Sequence, residues 1–151
     1  MSGAARALKA NRVRGLTLIE MLIVMVIIAI LLAVALPSYR EYLLKARRAE
    51  CSSVLVSLAN ALERRFSATH TYLDASGDAT FPGGGLNASC PASGGEVFYD
   101  ISFIDAGATG FALRAVPVGG QAQDRCGVLT LDHLGLRGVV SDAGLTAAQC
   151  W

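Results

Sequence analysis

Apolar and polar positions fall into three regimes along this chain. From Leu16 to Leu36, 19 of 21 side chains are apolar, and the two exceptions are Thr17 and Glu20. At 1.5 Å of rise per residue such a run makes a helix of roughly 31 Å, about the thickness of a bilayer's hydrocarbon layer. It predicts a membrane-length helix. From Tyr39 the spacing turns to threes and fours: Tyr39, Tyr42, Leu43, Ala46, Ala49, Val54, Leu55, Leu58, Ala61, Leu62 and Phe66, with one slip near Cys51. That reads as an amphipathic helix continuing to about residue 67, with Arg40, Glu41, Arg47, Arg48, Glu63 and Arg64 on the opposite side. Pro37, inside this long helix, removes a backbone donor and predicts a kink or local break. Residues 68–95 lose periodicity, and Pro82, Gly83 to Gly85, Pro91 and the Gly94, Gly95 pair predict a loop. Alternation in Val97 to Ile104, Thr109 to Pro117 and Gly127 to Asp132, with a short run near Arg137 to Val140, predicts an antiparallel sheet of about four strands. A helix on such a sheet is the smallest two-layer core, an α+β fold.

Composition adjusts this picture. The whole chain is 53% apolar, but residues 37–151 hold 54 apolar side chains out of 115, an ordinary content for a globular domain. Disorder and a polytopic membrane protein are both excluded. A secretory signal peptide fits poorly, since its apolar region is about 7 to 15 residues and ends at a small-x-small site. Arg6, Lys9, Arg12 and Arg14 precede the run and Arg40, Lys45, Arg47 and Arg48 follow it, so counting cations does not orient the span. Cysteines do. All four, Cys51, Cys90, Cys126 and Cys150, come after the run, and an even count favours disulfides in an oxidising compartment. The amino terminus is therefore expected in the cytoplasm and the domain outside. Glu20 conflicts with a plain anchor, because an isolated carboxylate in a membrane helix costs on the order of 2.5–3.5 kcal/mol on insertion scales. Its position, close to the helix end, points either to snorkelling at the nearby interface or to a cationic partner inside an assembly.

The residues from Arg14 to Tyr39, RGLTLIEMLIVMVIIAILLAVALPSY, resemble the start of type IV prepilins. The resemblance implies a leader of residues 1–15 cut after Gly15 by a prepilin peptidase, with Leu16 as the N-methylated new terminus. It also implies Glu20 as the assembly carboxylate and Pro37 as the helix-interrupting proline. Leu16 departs from the pattern, where Phe is usual. The expected organisation is then a leader over 1–15, a membrane and filament-core helix over 16–36 and a periplasmic globular domain over 37–151, with the type IV pilin fold. The stretch CGVLTLDHLGLRG with its closing CW resembles the carboxyl-terminal loop of minor type IV pilins of Gram-negative bacteria.

Four cysteines permit three pairings. Cys126 with Cys150 is favoured because it ties the end of the chain to a strand, and Cys51 with Cys90 because it ties the helix to the loop. Closing a loop of about 25 residues stabilises by roughly 3.5 kcal/mol in the chain-entropy model. No Cys-x-x-Cys motif, metal-ligand spacing or phosphate-cradling loop is present, and His70 and His133 have no partner at catalytic spacing. No cofactor and no enzyme activity are expected; the partners are other pilin subunits, the peptidase and the inner membrane before assembly into an extracellular pilus. Twitching motility, adhesion or general pilus biogenesis would be the service. DNA capture is the alternative, disfavoured because residues 67–151 carry only Arg114, Arg125 and Arg137 against eight acids. A pseudopilin of type II secretion shares the amino-terminal pattern but not the carboxyl-terminal cysteine pair.

Overall fold

A computed structural model describes residues 17–83 and 87–151. Gly15 and Leu16 lie outside the described residues. The chain divides into two units, Met1–Ser38 and Tyr39–Trp151.

The first unit is helical. Helix α1, Leu18–Thr69, begins where the Glu20 backbone N–H donates to the Thr17 carbonyl at 3.1 Å and to the Thr17 hydroxyl at 3.3 Å, a side-chain cap on the first turn. Every residue from Leu18 to Leu36 is exposed. Among the described residues, α1 is the one helix long and apolar enough to cross a membrane. Pro37 lies inside α1, which is helical on both sides of it, so the expected local break is absent. The proline removes a single donor, the one that would reach the Ala33 carbonyl, and flanking turns retain theirs.

In the second unit α1 lies against a five-stranded antiparallel meander, β1 Asn87–Cys90, β2 Tyr99–Ala106, β3 Phe111–Pro117, β4 Val128–Asp132 and β5 Arg137–Val140, in sequential order. Period-two alternation sets its inner face: Tyr99 and Ile101, then Phe111, Leu113 and Ala115, then Leu129 and Leu131 are buried, with Asp100 and Arg114 outside. The register breaks between Phe103 and Asp105. Unbroken alternation would carry the inward stripe Tyr99, Ile101, Phe103 on to Asp105; the bulge moves it to Ala106, opposite Phe111, and leaves Asp105 exposed.

Two expectations are corrected here. Strand β1 lies in the region expected to be loop. Asn-Ala-Ser-Cys is short, with no apolar alternation; backbone pairing to β2, from Asn87 with Ser102 to Cys90 with Tyr99, makes it a strand. The helix face is the second. Its buried residues are Cys51, Leu55 and Leu62, while Tyr39 and Tyr42 are 63% and 70% exposed and Ala46 and Ala49 are exposed too. The slip near Cys51 thus marks a change from one stripe to another, and Arg48, assigned to the solvent side, lies on the packed side.

Disulfides Cys51–Cys90 and Cys126–Cys150 close the unit. The first joins α1 to β1, and the second joins the turn before β4 to the short helix α2, Ala147–Cys150. Gly127, beside Cys126, has φ +62°, and a Cβ there would strike the Val140 carbonyl oxygen. Only glycine satisfies both the left-handed backbone and that close approach.

Candidate assembly site and the network behind the globular unit

The amino-terminal candidates are one-dimensional in their geometry. Glu20 stands in the first turn of α1 with its side chain exposed, among exposed apolar neighbours. Its position at a helix amino terminus is favourable for an anion through the helix dipole. No cation within the described part of this unit accompanies it in sequence, since residues 17–38 contain no Lys or Arg.

In the globular unit a buried polar network holds what sequence reading left unconnected. One guanidinium nitrogen of Arg48, Nη1, donates to both Asp124 oxygens at 2.6 and 2.8 Å, and Nε donates to the Cys150 carbonyl at 2.9 Å. Asp124, 8% exposed, also accepts from the Tyr99 hydroxyl at 3.1 Å, the Gln121 amide at 3.1 Å and the Cys126 backbone N–H at 3.1 Å. Gln121 donates in addition to the Leu44 carbonyl of α1 at 3.0 Å. Burial, and then the neighbouring Asp124 charge, hold the Tyr99 hydroxyl well above the usual tyrosine range despite the opposing Gln121 hydrogen bond and Arg48. The pair Arg48–Asp124 therefore touches the backbone of both Cys126 and Cys150 while anchoring them to α1.

A second cluster fixes the far end of α1. Phe66 stacks on Tyr72 with ring centres 4.6 Å apart, and Tyr72 meets Phe111 edge-on at 4.9 Å. The Tyr72 hydroxyl donates to Glu63 at 2.9 Å; burial first, and then that carboxylate, push its pKa up to about 12. His70, at φ 58°, follows the helix end, and the His133 ring lies near Tyr72 and Phe111. Arg65 donates to the Tyr72 and Thr80 carbonyls at 3.1 and 2.7 Å, closing a loop whose centre is Asp74. Asp74 accepts the backbone N–H of Asp78 at 2.9 Å and of Ser76 at 2.8 Å, and the Thr80 hydroxyl at 3.1 Å. The Asp78 hydrogen bond leads the causes that hold its carboxyl below the usual range. Because the folded pKa is the lower one, this stabilisation is complete above the unfolded aspartate pKa of about 3.9 and is lost as pH falls through the folded value. In a solution NMR titration the Ser76 and Asp78 amide resonances are expected to shift together below about pH 4. Asp74→Ala should abolish that joint shift, and a joint shift surviving the substitution would contradict the assignment.

A capped apolar helix of membrane length with one acid in its first turn, and a helix-on-meander unit closed by two disulfides, are the parts of a type IV pilin. Residues 37–130 match the family described as "Type IV minor pilin ComP, DNA uptake sequence receptor", and residues 10–36 match the prokaryotic N-terminal methylation motif. The chain belongs to that pilin family. It is 42% identical over 53 residues to the type IV major alpha-pilin of Moraxella bovis, covering 35% of this chain and 33% of that one. It is 36% identical over 70 residues to the type IV major pilin protein PilA of Myxococcus xanthus (strain DK1622), covering 46% and 32%. The chain thus spans about a third of the length of the curated relatives it matches. A solved type IV pilin from Shewanella oneidensis is 29% identical over 72% of this chain and 97% of its own, with a TM-score of 0.46.

Proposed function

We propose that the chain is made as a prepilin, held in the inner membrane with its amino terminus cytoplasmic and its globular unit periplasmic, and built as a minor subunit into a type IV pilus. The observation that carries this reading is the run Leu18 to Leu36, wholly exposed and uncharged except for Glu20. Such a surface suits lipid first and the same surface of other subunits afterwards. Cleavage after Gly15 by a prepilin peptidase would create a cationic amine at Leu16, kept as a cation by N-methylation. In a filament core that amine would pair with Glu20 of a neighbouring subunit, where exclusion of water strengthens the charge-assisted contact. Cleavage also removes four of the thirteen basic residues and no acid, leaving the mature chain net acidic.

A second reading, capture of DNA by the assembled subunit, is favoured by the description of the family matched over residues 37–130. Exposed Arg114, Arg125 and Arg137 would be its phosphate contacts, with Arg137 lying 5.2 Å over the Trp151 ring. Against it stands the acidic excess of residues 67–151. Two experiments test these readings. Mass spectrometry of purified filaments should find the chain beginning at methylated Leu16, and deletion of the subunit should abolish piliation and twitching. A chain beginning at Met1 would overturn the processing scheme, and loss of transformation with normal pili would move the assignment to DNA capture.

A further inference from the structure

The stripe of α1 turned away from the sheet carries two large aromatic side chains with nothing in the globular unit to cover them. Tyr39 and Tyr42 are 63% and 70% exposed and stand three residues apart, hence on one helix face. Tyrosine combines an apolar ring with a polar hydroxyl and concentrates where an apolar layer meets water. These two are three and six residues past Leu36, the last residue of the apolar run. In sequence they follow directly on the end of that run, where a membrane-length apolar segment gives way to the headgroup layer. Arg40, between the two tyrosines, and Lys45, three residues after them, are both exposed, with Glu41 the acid between the two cations. Their long stems let the cations reach phosphate oxygens while the methylenes lie against apolar surface.

We propose that Tyr39, Tyr42, Arg40 and Lys45 form an interfacial anchor that binds the ester and phosphate layer of glycerophospholipids in the periplasmic leaflet. The anchor sets the depth at which the subunit waits before assembly. This inference rests on reading the apolar run as a membrane span. It also accounts for the helix face: α1 presents Ala46 and Ala49 on the same exposed stripe, so the aromatics are confined to the turns nearest the apolar run.

The test uses the full chain in phosphatidylcholine–phosphatidylglycerol vesicles whose lipids are brominated either near the ester or at mid-chain. Tyr39→Trp, Tyr42→Trp and Met25→Trp are made singly, and the parent chain supplies the Trp151 background. Positions 39 and 42 are expected to lose fluorescence to the near-ester bromines more than to the mid-chain ones, and position 25 the reverse. Quenching at 25 with none at 39 and 42, or mid-chain quenching at 39 and 42, overturns the anchor and leaves the membrane reading standing. Absence of quenching at all three positions overturns both. Tyr39→Ser with Tyr42→Ser, in the Met25→Trp chain, should change the quenching ratio at position 25; an unchanged ratio refutes the depth-setting role.

Discussion

Glu20→Val is expected to leave the subunit in the inner membrane and remove it from filaments. Replacing the carboxylate relieves an insertion cost on the order of 2.5–3.5 kcal/mol, so membrane retention should hold or improve. In the assembled core the neighbour's Leu16 amine would lose its partner, and an uncompensated buried charge costs about 3–5 kcal/mol. That corresponds to a fall of about a hundredfold or more in incorporation. The measurement is an immunoblot of membrane and sheared-pilus fractions from the same cells. Glu20→Gln separates the charge from the helix cap: glutamine serves at the third position of a capping box as glutamate does, so a capping role predicts normal assembly for that variant. The pairing role predicts failure in both, and normal filaments from either would refute it.

The second large effect concerns stability. Asp124→Ala should destabilise the globular unit by about 3–5 kcal/mol, because it leaves the Arg48 guanidinium without its anion in a mostly buried site. The Cys126 N–H and the Tyr99 hydroxyl lose their acceptor at the same time. Arg48→Met with Asp124→Leu removes both charges, and the double variant should recover a good part of the loss, since replacing a buried pair by apolar groups is often neutral. Urea denaturation of the full chain in detergent, under oxidising conditions, measures each. A loss below about 1 kcal/mol for Asp124→Ala would place the pair among exposed ion pairs, which contribute little.

Much of this architecture is legible residue by residue. The span, the amphipathic continuation, the strand runs, both disulfide partners and the pilin character follow from periodicity, cysteine placement and short motifs. What is not legible shares one physical cause, contacts between residues far apart in the chain. Strand β1 has no pattern of its own and exists through its ladder to β2 and the Cys51–Cys90 bond. The buried face of α1 is ambiguous because two stripes of apolar residues share the helix, and only one meets the sheet. Arg48 reads as solvated until Asp124, 76 residues away, is placed against it. The Thr17 cap is the exception: Thr-Leu-Ile-Glu fits a capping box, so its signal was local.

The sequence by itself therefore determined the apolar helix, its single acid and the disulfide-bearing domain beyond it. Length, missing charge and two- or three-to-four-residue periods are local quantities that any conformation must respect. Only the tertiary structure decided which stripe of α1 packs, that a charged pair lies behind the Cys126–Cys150 bond, and that Tyr39 and Tyr42 face outward. Those outcomes depend on which distant surface arrives to desolvate each side chain. An arginine is buried here because a carboxylate arrives from the far side of the fold to offset its desolvation, and a tyrosine stays exposed when no surface comes to meet it.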